Sequence, residues 1–192
     1  MRVIAGSARG RRLKAPRGWD VRPTADRVKE AVFDLIRGDW EERTVLDLFA
    51  GSGALGIEAL SRGAGEAVFV EADRRCLSIL WQNVEYCGFS DRTRVIRSDV
   101  LRFLGSRRST WAFSIIFADP PYERGLACRC FSGVDSGGWL ASQGRMIVEH
   151  SHREALPERG ALLALFDKRR YGDTSISVYG LGEGTAGKGK GG

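Results

Sequence analysis

From Thr44 onward, short apolar runs alternate with longer stretches whose apolar positions recur at helical spacing. The runs cover residues 44–49, 67–71, 93–97, 113–118, 145–149, 162–167 and 175–179. Helices are predicted between the first five, most clearly at 55–62 and 74–86. Strand–helix alternation of this kind predicts an α/β fold, a mostly parallel sheet of seven strands with both faces covered. Only KRRYGDT, residues 168–174, separates the last two runs. That is too short for a crossover helix, so these strands should form an antiparallel C-terminal hairpin at the sheet edge.

The first 43 residues follow a different pattern. Residues 3–7 and 12–15 read as short strands around a Gly/Arg-rich turn, followed by a helix over 27–37 with Thr24 or Asp26 as N-cap. The expected organisation is an N-terminal hairpin and helix over 1–43, a main domain over 44–181, and a disordered tail over 182–192. The tail, GEGTAGKGKGG, is too rich in Gly and Lys to pack.

Composition narrows the class. At 192 residues the chain is one domain of ordinary size. The net charge of +6 is unevenly placed: Arg2, Arg9, Arg11, Arg12, Lys14 and Arg17 fall in residues 1–19, which hold no acid. Such a block is either a solvated face or a footprint for phosphates. No apolar run is long enough to span a bilayer, and the N-terminus lacks the apolar core of a signal peptide. Cys76, Cys87, Cys128 and Cys130 form no CxxC pair, and His150 and His152 do not complete a ligand pattern. Free thiols in a reducing cytoplasm are expected, with neither a metal site nor a membrane partner.

The candidate chemistry begins at VLDLFAGSGALG, residues 45–56. Gly51, Gly53 and Gly56 match G-x-G-x-x-G between a predicted strand and a predicted helix, and Glu71 ends the next strand. Glycines here let the backbone approach a nucleoside, and Glu71 can accept from both ribose hydroxyls. Asp47 would repel a pyrophosphate at this loop but suits S-adenosylmethionine, whose ammonium and sulfonium groups are cationic. After the third strand, Asp99 of the Ser98-Asp99 pair can accept from an adenine amine, cap a helix, or do both.

The fourth strand ends in SIIFADPPY, residues 114–122. In a doubly wound sheet this turn faces the same crevice as the glycine loop. Pro120 and Pro121 lack N–H groups and stiffen the turn. Asp119 and the Pro120 carbonyl can then accept both hydrogens of an exocyclic amine, while Tyr122 offers a stacking face.

RVIAGSARGRRLKAPRG, RPTADRVKEAVFDLI, VLDLFAGSGALGIEALSRGA, FADPPY, MIVEH and YGDTSISVY together resemble the bacterial small-subunit rRNA guanine-N2 methyltransferase D family over about residues 1–180. The resemblance implies a Rossmann-like class I fold and methylation of 16S rRNA, on its own or in an assembling small subunit. It implies that Asp47, Phe49, Ala50, Gly51, Ser52, Gly53, Glu71, Ala72, Ser98 and Asp99 hold S-adenosylmethionine. Asp119, Pro120, Pro121 and Tyr122 would hold the guanine amine, and Arg9, Arg11, Arg12, Lys14, Arg22 and Arg27 the rRNA. One departure is CFSGVDSGGW, residues 130–139, Gly/Ser-rich where the family has a long helix, so a looser substrate-side wall is expected there.

Rival readings are a DNA adenine-N6 methyltransferase, a non-catalytic RNA-binding module on the same fold, and a nicotinamide dehydrogenase. The first lacks a target-recognition domain. Intact Gly51, Gly53, Glu71 and Asp119 argue against the second, and Asp47 argues against the third.

Overall fold

The structure is a computed structural model and describes residues 1–15, 23–36, 38–106, 111–121 and 125–182. The apolar runs form β1 (Thr44–Leu48), β2 (Glu66–Glu71), β3 (Thr93–Arg97), β4 (Phe113–Ala118), β5 (Leu140–Ser151), β6 (Leu163–Tyr171) and β7 (Thr174–Leu181). They make one sheet in the order β3-β2-β1-β4-β5-β7-β6. Strands β1 to β5 pair in parallel, and β7 is antiparallel to both β5 and β6. The helices are α1 (Pro23–Leu35), α2 (Ala54–Ser61), α3 (Arg74–Cys87), α4 (Val100–Gly105) and α5 (Leu126–Gly137).

Strand alternation sends apolar side chains into two cores. Val45, Ala67, Phe69, Ile115 and Phe117 meet α1, α2 and α3 on one face; Leu46, Leu48, Val68, Val70 and Ile116 meet α4 and α5 on the other. Asp47, in phase with Val45, is thereby carried to the α2 side at the carboxyl end of β1.

Several boundaries differ from the sequence pattern. Helix α1 starts at Pro23, so Thr24 and Asp26 fall inside it, past the N-cap position expected of them. Proline suits a first helical turn, where its missing N–H costs nothing. Strand β5 starts at Leu140, and its register with β4 shifts between Phe113 and Ile115, which hides the continuation from a simple alternation. Strands β6 and β7 extend through KRRYGDT to a tight turn at Gly172, φ 62°.

The Gly/Ser-rich segment is also helical up to Gly137. Ala127, Cys130, Phe131, Val134 and Asp135 form its buried face at helical spacing. Gly133 abuts Leu104 of α4, where an added Cβ would lie 3.0 Å from the Leu104 Cβ. The Asp135 carboxylate accepts the amides of Ala161, Leu162 and Leu163 at 2.7, 2.8 and 2.7 Å. A packed helix therefore stands where a looser wall was expected.

The N-terminal runs do not form regular strands. They make a hairpin with an isolated bridge between Arg2 and Arg12 and a Val3 N to Arg11 O bond of 2.9 Å. The ladder stops because the amides of Ile4 and Ala5 donate to Glu58 of α2 at 2.8 and 2.9 Å. Glu58 is fully buried and also pairs with Lys29 and Arg62, both at 3.0 Å. Gly6, φ 79°, presses so closely on α2 that a Cβ would sit 1.7 Å from the Ser61 carbonyl oxygen. Val3, Ala8, Leu13, Val28 and Phe33 thus share a core with the sheet. The tail from 183 onward lies outside the described residues.

Candidate active site

The carboxyl ends of β1, β2, β4 and β5 open on a cleft of about 540 Å³. The β1 side supplies Asp47, Phe49, Ala50, Gly51 and Ser52, and the β2 side Glu71, Asp73 and Cys76. Asp119, Pro120 and Pro121 enter from β4 and Glu149 from β5. Register makes neighbours of the last two strands: Ala118 pairs with Val148, so Asp119 and Glu149 are each the next residue along.

The glycine loop turns sharply. Phe49, Gly51 and Gly53 all take positive φ, at 61, 55 and 81°. For Phe49 this is a strained conformation, of the kind that collects at functional sites. Gly53 is the N-cap of α2 and does not line the cleft. Gly56 lets α2 lie against β2, since an added Cβ would fall 2.3 Å from the Phe69 ring.

Asp47 accepts the Gly56 amide at 2.9 Å, so it caps the first turn of α2 as well as facing the cleft. Burial pushes its carboxyl up to about 7, against the opposing pull of the Gly56 bond and with a further push from Glu71. Glu71 accepts from Gly51 N at 2.8 Å, Ala72 N at 2.7 Å and Asp73 N at 2.8 Å. Three of a carboxylate's roughly four acceptor sites are therefore filled, which leaves room for one further donor and not two.

Asp119 opens to the solvent of the cleft but is ringed by protein. Desolvation, then the charges of Glu149 and Asp47, raise its carboxyl well above the usual range. Cys76 also faces the cleft, where burial and the charges of Glu71 and Asp73 push its thiol up to about 11 and so disfavour the thiolate.

Asp47, Phe49, Ala50, Gly51, Ser52, Glu71, Asp119, Pro120 and Pro121 thus line one cleft. Ala72, Ser98 and Asp99 do not line the cleft. Asp99 caps α4, accepting Arg102 N at 2.9 Å, while the Ser98 hydroxyl donates to the Asp99 carbonyl at 2.9 Å. Tyr122 and Arg22 lie outside the described residues, and Arg27 falls within α1.

Sequence reasoning missed Glu149, Asp73, Lys29, Met1 and Ala15, which also line the cleft. Glu149 was readable as the acid ending MIVE on a parallel strand beside β4. Lys29 was not, because nothing local marks a helical lysine as buried.

On the hairpin, Arg9 and Arg12 are exposed. Arg11 donates to the Tyr86 carbonyl and lies over the Tyr86 ring, and Lys14 Nζ donates to Gln82 at 2.8 Å. All four cysteines are free, and among the described residues no cluster of three or more His, Cys, Asp or Glu could hold a metal ion. No described helix is long and apolar enough to cross a membrane.

The strand order and the glycine-loop cleft define a Rossmann-like, class I methyltransferase fold. The model of the family described as conserved hypothetical protein 95 matches residues 1–180, and the chain belongs to that family. It is 35% identical over 179 residues to ribosomal RNA small subunit methyltransferase D of Escherichia coli K12, covering 93% of this chain and 89% of that one. The Haemophilus influenzae protein of the same name is 36% identical over 167 residues, 85% of this chain and 86% of that one. Among solved structures, a hypothetical protein of Thermus thermophilus superposes with a TM-score of 0.80 at 33% identity, over 94% of this chain and 99% of the other.

Proposed function

We propose that this chain methylates the exocyclic N2 amine of a guanine in small-subunit ribosomal RNA, using S-adenosylmethionine. The observation that carries the reading is the Asp119-Pro120-Pro121 turn facing the glycine loop across one acidic cleft. The relatives' names supply the substrate class, and the chemistry of the wall supplies the rest.

The cleft fits this cofactor on charge. Asp47, Glu71, Asp73, Asp119 and Glu149 bring five acidic side chains, of which Asp47 and Asp119 are held above the usual carboxylate range, while its lysine, Lys29, is committed to Glu58 at 3.0 Å. Such a wall repels a dinucleotide's phosphates and welcomes a cationic nucleoside. Asp47 and the loop backbone from Phe49 to Ser52 would hold the cofactor, with Glu71 taking one ribose hydroxyl. When bound, S-adenosylmethionine supplies an electrophilic methyl group.

The protein's own residues prepare the other partner. Asp119 and the Pro120 carbonyl accept the two amine hydrogens, which favours a more pyramidal nitrogen whose lone pair is less delocalised into the ring and aimed at the methyl group. Asp119 then takes the proton that the amine sheds, a role suited to its raised pKa. Preorganised acceptors of this kind supply a large share of catalysis. The exposed cations of the N-terminal hairpin would meet rRNA phosphates.

The test is transfer of a labelled methyl group to purified small-subunit rRNA and to DNA, with the modified position mapped. Label on guanine N2 in rRNA is expected. Label on DNA adenine, or binding of NAD in calorimetry with none of S-adenosylmethionine, would overturn the reading.

A further inference from the structure

On the exposed face of α3, Tyr86 keeps 57% of its surface in solvent while the Arg11 guanidinium lies 5.3 Å from its ring centroid. Arg11 also donates to the Tyr86 carbonyl, so the pair is tied at two points. One turn back along the helix, Gln82 accepts from Lys14 Nζ at 2.8 Å. The next residue of the arm, Ala15, lines the cleft. The Lys14 backbone is also joined through Asn83 to Ser52, which lines it too. A stripe of cation and aromatic surface thus runs from Tyr86 and Arg11, past Gln82 and Lys14, to the mouth of the cleft.

We infer that this stripe is a single-stranded RNA track, in which Tyr86 stacks a base flanking the target while Arg11 and Lys14 hold the backbone. The inference rests on the RNA reading above and adds a surface to it. Three features favour a nucleic acid. Residues 1–15 carry Arg2, Arg9, Arg11, Arg12 and Lys14 with no acid, so the field attracts phosphate. An aromatic ring beside a guanidinium is the surface on which unpaired bases stack. The stripe also ends at the cleft that would take the target base, so a strand lying on it arrives in register. Glu85, exposed next to Tyr86 on α3, would repel phosphate from its own side of the stripe.

The probes are a labelled single-stranded RNA of about a dozen nucleotides and a ribose-phosphate strand of equal length lacking bases. Tyr86→Ala should weaken binding of the RNA about tenfold and leave the abasic strand nearly unchanged. Tyr86→Phe should bind both as the parent does. Phe166→Ala is the control, since Phe166 is likewise exposed beside an arginine, Arg145, but lies on the edge strand β6. In the unaltered protein, RNA should block iodination of Tyr86, a readout that needs no variant to fold. Equal RNA affinity for Tyr86→Ala and parent, or unprotected Tyr86 at saturating RNA, would overturn the track. If the unaltered protein still methylates rRNA, the proposed function survives that result; if it does not, that reading falls whatever Tyr86 does.

Discussion

The side-chain amide of Asn83 donates to the Ser52 carbonyl at 2.9 Å, so a buried residue of α3 grips the glycine loop directly. The same amide exchanges two bonds with the Lys14 backbone, at 2.8 and 3.0 Å. One side chain therefore fastens the basic arm and the cofactor loop to the same point.

Asn83→Ala leaves three backbone groups without their partner. Stability should fall by about 1–3 kcal/mol, and affinity for S-adenosylmethionine should fall with it as the loop loosens. Urea unfolding and calorimetry check the two effects. A variant with parental values in both would show that water replaces the amide at no cost.

Asp47 predicts a pH dependence. Folding raises its pKa from 3.8 to about 7, so the ionised form destabilises the native state. The cost is absent below pH 3.8, grows through the window and is complete above about 7. Asp47→Asn keeps an acceptor for Gly56, so it should melt higher than the parent at alkaline pH and alike in acid. It should also bind the cationic cofactor more weakly. Melting temperatures across pH test this, and a variant less stable than its parent at high pH would contradict it.

Asp119→Asn should retain the fold and cofactor affinity. The amide can offer its oxygen to one amine hydrogen, but its NH₂ donates where a second acceptor is needed and cannot take a proton. Single-turnover methyl transfer should drop roughly 10²–10³-fold, as when a preorganised group is lost. The parent's rate should rise with pH above the ordinary carboxylate range, following the raised Asp119 pKa. A near-parental rate in the variant would leave the turn as a strand stop only.

Arg9 and Arg12 are exposed. Replacing both with alanine should weaken RNA binding and flatten its log–log salt dependence by roughly 0.7–0.9 for each phosphate no longer neutralised. Cofactor binding should not change. An unaltered slope would assign them to a solvated surface.

The central strands and the glycine loop were legible because burial on both faces writes unbroken apolar runs into the chain. Asp47, Gly51, Glu71 and Asp119 were legible because they sit at strand ends, where topology alone says what they face. Helix α5 was not. Its glycines and serines argue against a helix locally, and packing of Phe131 and Val134, with Asp135 bonded to residues 161–163, overrides them. Glu58 was invisible for a related reason: in an apolar helix it reads as a surface acid, and only the folded chain shows Ile4, Ala5, Lys29 and Arg62 gathered on it.

The docking of the hairpin on α2 and α3 also sets an order of events during synthesis. Residues 1–15 are made before Glu58, Ser61 and Asn83, which hold them and follow some 53 to 69 positions later. A nascent chain therefore carries an unplaced polybasic arm until α3 has been made. Closing that long loop completes the cleft wall at Met1 and Ala15. The arm becomes part of an enzyme only after the chain behind it has folded.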